Sequence, residues 1–253
     1  MIPKVIHYCW FGKNPLPELA EKCIASWRKK LPDYDIIEWN EGNFDIKCCD
    51  YVKEAYDAKK WAFVSDYVRL FVLVNYGGVY LDVDVEVVKS LDGLLENEAF
   101  SGFEDKEYIQ TGVMACEKGF IMFQEMLNFY SNRNFMLPNG KPDITTNVAL
   151  ITNFLKNKGL KPNNMEQNIL GLKLYPNDYF CPKNYINDEI HCTENTYTIH
   201  HFAASWHSPL QKMIDRLKKR SENGWLIKIG VFVKRLLSIP LIILNKFISC
   251  IKI

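Results

Sequence analysis

One segment limits what this chain can fold into more than any other: a helical stripe that runs into two glycines and then into a β-branched run carrying two carboxylates. Phe63, Tyr67, Leu70, Phe71 and Val74 recur at helical spacing, which predicts a helix with that stripe toward a core. Asp66 and Arg69 lie three apart on another face, close enough to pair. Gly77 and Gly78 end the helix and turn the chain into Val-Tyr-Leu-Asp-Val-Asp-Val-Glu-Val-Val, with Asp82 and Asp84 two apart. A strand repeats every two residues, so both carboxylates are expected on one face and Val83 on the other, apolar one. Two carboxylates held close repel each other and lose hydration, and a divalent cation removes both penalties. The pattern reads as a metal site at a strand end. An exposed strand that happens to carry two aspartates is the plain alternative.

The rest of the N-terminal half supplies the frame. Residues 4–10 form a near-continuous apolar run, as in a buried parallel strand. Leu16, Leu19, Cys23, Ile24 and Trp27 mark a helix face with Pro17 near its start, Asp35–Trp39 reads as the next strand, and residues 51–60 read as a polar helix. This β-α-β-α-β order predicts a Rossmann-like sheet with right-handed crossovers and ligands outside the carboxyl ends of its strands. Trp10 and Asp82 are then expected in one cleft. Phe100–Phe103 and Gly112–Cys116 suggest short strands, and residues 120–130 and 147–158 suggest helices. Pro and Asn cluster from 161 to 188, which predicts long surface connections. There is no internal repeat.

Four ordered motifs carry a resemblance: Ile2-Pro-Lys-Val-Ile-His-Tyr-Cys-Trp-Phe-Gly12, Phe63-Val-Ser-Asp-Tyr-Val-Arg69, Tyr76-Gly-Gly-Val-Tyr-Leu-Asp-Val-Asp84 and His200-His-Phe-Ala-Ala-Ser-Trp206. Together they resemble the DXD-containing sugar-nucleotide glycosyltransferases of family 32 and, more distantly, the glucosylating domains of large clostridial toxins. The resemblance implies an α/β fold of GT-A type, Rossmann-like with a mixed central sheet, over residues 1–220, followed by a basic amphipathic helical tail, 221–253. It implies a retaining hexosyltransferase using Mn²⁺ or Mg²⁺ and a nucleotide sugar, with a UDP-sugar favoured. The acceptor would be a growing surface, capsular or lipid-linked glycan. By the same resemblance Asp84 binds the metal directly, Asp82 contacts the ribose or metal, and His201 is the third ligand, with His200 ranked second. Trp10 and Phe11 would meet the nucleotide base, Asp66 and Arg69 the donor hydroxyls and diphosphate, and Ser205 and Trp206 the diphosphate. The toxin-like enzymes carry a Ser two residues before their Trp, where this chain has Ala204. Thr111 and Asn147 are expected on the acceptor side and Asp105 near the sugar. Retention by front-face attack and by a covalent intermediate both remain open.

Composition bounds the alternatives. At 253 residues the chain suits one large domain, or a domain with a tail, and a net charge of +1 gives no pull toward nucleic acid. The eight cysteines form no Cys-x-x-Cys pair, which argues against a zinc ribbon, and free thiols at Cys9 and Cys23 in apolar stripes suggest a reducing compartment. The first strand begins almost at Ile2 with no room ahead of it for a signal peptide or anchor, so a bacterial, cytoplasmic enzyme is expected. From Trp225 to Ile253 the chain is apolar but broken by Lys228, Lys234, Arg235, Lys246, Lys252 and Pro240. It never reaches the run of about 18 uncharged residues that a spanning helix needs. Contact with the inner face of the plasma membrane is the expectation, and a terminal helix pair packed on the domain or on a second subunit is the alternative. A protein-modifying transferase, a metal phosphohydrolase and a non-catalytic sugar-binding module are the competing functions.

Overall fold

The computed structural model describes residues 1–184 and 188–203. Met1–Asn184 and Glu189–Ala203 form one compact unit. Ser205, Trp206, the expected boundary at 220 and the tail lie outside the described residues. In chain order the elements are β1 (Val5–Cys9), α1 (Glu18–Lys30), β2 (Asp35–Trp39), α2 (Asp50–Asp57), α3 (Trp61–Tyr76), β3 (Gly78–Leu81), β4 (Val85–Val87), β5 (Ala99–Gly102), β6 (Val113–Cys116), α4 (Ile121–Asn128), α5 (Asn147–Asn157), β7 (Gln167–Ile169), β8 (Leu172–Tyr175), α6 (Asn177–Phe180) and β9 (Thr198–His200).

Seven strands form one mixed sheet in the order β2-β1-β3-β6-β5-β8-β7, and β4 pairs with β9 in a small second sheet. The β2-β1-β3 portion is parallel, whereas β6 runs antiparallel to both β3 and β5. This is the α/β fold with a mixed central sheet that the sequence predicted. Side chains alternate across it with period two. Ile6, Tyr8, Val79 and Leu81 enter one core, while Cys9 and Tyr80 enter the other.

The two cores fix the elements that matter for the site. Helix α1 carries acidic Glu18 and Glu21 in its first turn and Arg28, Lys29 and Lys30 in its last, which suits the helix dipole. Its Ala20, Cys23, Ile24 and Trp27 form an i, i+3, i+4, i+7 stripe. Trp27 is fully buried and donates its indole N–H to the Val85 carbonyl at 2.7 Å, so α1 pins the chain just past the two aspartates. Helix α3 is buried nearly all round. Phe63, Tyr67 and Phe71 of the expected stripe are only partly buried, while Val64, Val68, Val72 and Leu73 are fully enclosed. A helix packed against the sheet, α2 and α4 is enclosed on more than one side, so a single stripe understates its burial.

The Gly-Gly turn has a steric reason. Gly77 and Gly78 have φ of 69° and 102°, and a Cβ at either would lie 2.7 Å from Lys118 N or 2.6 Å from Val5 O. Behind the turn, buried His7 donates Nε2–H to Gly77 O at 2.9 Å and accepts the Trp39 indole N–H on Nδ1 at 3.1 Å. An indole only donates, so this network fixes the tautomer, and burial lowers the pKa of the imidazole.

Two expectations about elements need correction. Asp82 and Asp84 are not on a strand. Strand β3 ends at Leu81, and Asp82 to Asp84 form a turn into β4, closed by Val85 N–H donating to Asp82 O at 3.0 Å. The β-branched run reads as continuous because each half is a strand and only the turn between them is not. Residues 161–188 are also more than surface connections. They contain β7, β8 and α6, and Leu172, Leu174 and Phe180 are buried.

Candidate metal and donor site

The site grows from the carboxyl end of β3. Asp82 N–H still donates to Gly112 O at 2.8 Å, so Asp82 is held in line with the sheet before the chain turns. Its Oδ1 accepts from Tyr80 OH at 2.9 Å and lies 3.3 Å from Arg69 Nη2. Arg69 Nη2 also lies 3.1 Å from Asp66 Oδ1. The same guanidinium donates through Nη1 to Thr111 O and Oγ1 at 2.7 and 3.0 Å, donates through Nε to Ser65 O at 3.3 Å, and stacks over the Tyr80 ring.

Every nitrogen of Arg69 therefore has a partner within the protein. Arg69 is a strut that fixes Asp66 and Asp82 and leaves its charge at the site. Burial works against that charge, yet Asp82, Tyr80 and Asp66 outweigh it and raise the guanidinium pKa. For Asp66 burial wins over the attraction of Arg69, and its carboxyl is pushed up to about 6.

Asp84 meets the far end of the domain. Its Oδ1 lies 3.3 Å from His200 Nε2, and its Oδ2 accepts the Ala203 N–H at 2.7 Å. A left-handed turn at Phe202, φ 54°, brings that amide back, and the Phe202 ring packs on His200 at 4.2 Å between centroids. Burial alone would raise the pKa of Asp84, but the charge and hydrogen bond of His200 outweigh it and hold the carboxyl below the usual range. Against its own burial, the His200 imidazole has its pKa raised by Asp84.

Asp82, Asp84 and His200 each offer a ligand atom, and these atoms all lie within 4.8 Å of one another. Two carboxylates and one imidazole are a donor set that a hard divalent cation fits. The two histidines are thus exchanged relative to expectation. In this structure His201, just past the end of β9, is turned from the aspartates, with its Nε2 3.0 Å from Glu86 Oε2. His200, ranked second from the sequence, faces the aspartates.

The remaining expected residues divide. Trp10 follows β1, the parallel neighbour of β3, and is half-buried, with its indole N–H donating to Asn14 O. It lines a depression of about 370 Å³ with Lys13, Asn14, Glu38, Asn40, Glu41 and Gly42, none of which is a carboxylate of the Asp82–Asp84 turn. The ring of Phe11 is buried edge-on against Phe44, so it serves the core and offers no face to a base. Thr111 and Asn147 are buried beneath Arg69 and Asp66 instead of lining an acceptor surface. Thr111 takes the Nη1 bonds, and Asn147 Nδ2 donates to Asp66 O at 3.3 Å. Asp105 is exposed and caps a turn, accepting from the N–H groups of Glu107 and Tyr108. For its neighbour Glu104, burial pushes the pKa up, with the charge of His200 opposing and those of Asp105 and Asp82 adding to it. Sequence reasoning missed Tyr80, although its spacing of two from Asp82 puts both on one face. It also missed Glu104, for which no local signal exists.

Comparison with known proteins shows what the chain is similar to. Residues 17–101, which run from α1 into β5, match the family described as glycosyltransferase sugar-binding region containing DXD motif. That stretch holds two of the four motifs, Phe63–Arg69 and Tyr76–Asp84. Inositol phosphoceramide mannosyltransferase 3 of Schizosaccharomyces pombe is 34% identical over 122 residues, 47% of this chain and 34% of the yeast protein. This chain therefore spans about a third of that relative's length. An uncharacterized glycosyltransferase of Acanthamoeba polyphaga mimivirus is 26% identical over 246 residues, 90% of this chain and 91% of the viral one. Among solved structures, the PaToxG glycosyltransferase matches with a TM-score of 0.46 and 18% identity over 62% of this chain and 70% of its own.

Proposed function

We propose that the protein is a metal-dependent retaining transferase that moves a hexose from a nucleoside-diphosphate sugar to a surface or lipid-linked glycan. The observation that carries this reading is the convergence of Asp82, Asp84 and His200 within 4.8 Å, beside an Arg69 that bridges Asp66 and Asp82. The aspartates lie in the segment that matches the DXD family, and the yeast relative named above is called a mannosyltransferase acting on a lipid. Mn²⁺ or Mg²⁺ held by these three side chains would act as a Lewis acid toward the departing diphosphate.

The chain's own residues supply the rest. Arg69 keeps both Asp66 and Asp82 in fixed rotamers and adds one positive charge where leaving-group charge gathers. Asp66, buried next to that charge, would accept from a donor-sugar hydroxyl. Trp10 offers a half-buried indole at the carboxyl end of β1, suited to stacking on a base. Front-face retention needs no protein nucleophile, whereas a covalent route needs a carboxylate near the anomeric carbon, for which Glu104, within reach of the charges of His200 and Asp82, would be the candidate in place of the exposed Asp105. The test is incubation with a panel of UDP- and GDP-linked hexoses, with and without Mn²⁺, following nucleotide release. Release of nucleoside diphosphate from one donor that depends on metal supports the reading; release of inorganic phosphate instead, or no metal dependence, rejects it.

A further inference from the structure

His200 has two ring nitrogens, and only Nε2 faces the aspartates. Behind the ring, Cys181 Sγ lies 3.9 Å from Nδ1. Cys181 is fully buried next to the end of α6, and α6 packs against β9 and β5. The open edge of the ring meets Gly112 at the start of β6. A Cβ built there would lie 3.2 Å from His200 Cε1, 3.3 Å from His200 Nδ1 and 3.1 Å from Asp82 Oδ2. Gly112 has no positive φ, so a side chain there meets crowding and not backbone strain, and the His200 ring or the Asp82 carboxylate would have to give by a few tenths of an ångström.

We propose that Cys181 and Gly112 are the positioning residues for the metal-ligating imidazole: Cys181 gives Nδ1 a polar partner that holds the ring with Nε2 toward the aspartates, and Gly112 leaves the gap in which the ring and Asp82 stand side by side. The inference rests on the metal reading above. A ligating Nε2 must be unprotonated, so Nδ1 must carry the proton and needs an acceptor behind it. Without metal, the pairing of Nε2 with Asp84 wants that nitrogen to donate. A thiol both donates and accepts weakly, so it serves either state, which alanine or valine could not. The order Cys181, His200, Asp84 also resembles a nucleophile–base–orienter chain. That role fails on geometry, because a fully buried Sγ admits no substrate, and its burial raises the thiol pKa.

The experiment is Mn²⁺ binding to the full chain, followed by EPR titration, with electron spin-echo modulation reading the ¹⁴N of a coordinated imidazole. Cys181→Ala should weaken Mn²⁺ binding roughly 10- to 100-fold, the usual cost of losing the partner behind a metal-bound histidine. Cys181→Ser, which keeps a donor and acceptor, should recover most of the affinity and the ¹⁴N signal. Gly112→Ala should lose the ¹⁴N signal while circular dichroism stays native. If it fails to fold, the Cys181 pair of variants still decides. Asp84→Asn is the control for the underlying reading. If it abolishes binding while Cys181→Ala leaves affinity and ¹⁴N modulation unchanged, Cys181 has no positioning role and the inference is overturned. Should Asp84→Asn also bind Mn²⁺ normally, the metal site itself is wrong and the inference falls with it.

Discussion

Arg69 Nη2 stands 3.3 Å from Asp82 Oδ1 with both side chains largely shielded from water, and the same nitrogen reaches Asp66 at 3.1 Å. One cation thus holds a carboxylate from α3 and another from the turn after β3. Removing one partner of a buried pair leaves an uncompensated charge, at a cost of about 3–5 kcal/mol.

Arg69→Met is therefore expected to lower unfolding free energy by about that amount and to reduce transfer at least ~100-fold. Arg69→Lys should restore part of the stability but little activity, since an ammonium cannot reach Thr111, Asp66 and Asp82 together. Urea melts and initial rates on both variants check this. Equal activity in Arg69→Lys and wild type would contradict the strut role.

His7 predicts a pH signature in stability. Burial lowers its folded-state pKa, so the unfolded chain binds more protons once pH falls below the ordinary value of about 6.5. Its contribution is present in full above that pH and is lost progressively as pH falls below it. His7→Gln should flatten the decline of stability between pH 7 and 5 compared with wild type, although it is less stable at pH 8. Parallel stability–pH curves for the two proteins would remove His7 from the account.

How much of this was legible in the sequence follows from the range of each interaction. Strands β1 and β2, helix α3 and the Gly-Gly turn were readable because periodicity and turn chemistry are local, and Asp66 and Arg69 share a helix. The turn between β3 and β4 was not, since β-branched residues flank it on both sides. The choice between His200 and His201 depends on which face of a three-residue strand meets Asp84, and so short a strand carries no period to read. Thr111 supports Arg69 across 42 residues, and Cys181 sits behind His200 from α6. Contacts of that range exist only once the sheet has formed.

Trp10→Ala should weaken binding of the donor and of the free nucleoside diphosphate by similar factors. A stacking contact made before and during reaction acts as uniform binding, and its loss is worth roughly 1–3 kcal/mol. Calorimetry with the free nucleotide measures this. Unchanged affinity would make Trp10 a packing residue only.

For the tail, the proposal is membrane contact. Deleting residues 225–253 should leave active enzyme that no longer sediments with anionic liposomes. Apolar burial and about 1 kcal/mol per basic residue act together, so high salt should release the intact protein only in part. Aggregation of the truncated protein, or indifference of the intact one to liposomes, would assign the tail to packing.

The most direct test of the account compares two adjacent imidazoles. Mn²⁺ affinity should be measured by EPR titration for wild type, His200→Ala and His201→Ala, each checked for native circular dichroism. Because His200 Nε2 faces Asp84 while His201 is turned to Glu86, His200→Ala should weaken binding at least tenfold and His201→Ala should leave it within about twofold. Loss of binding in His201→Ala with retention in His200→Ala, or no loss in either, would contradict the site described here.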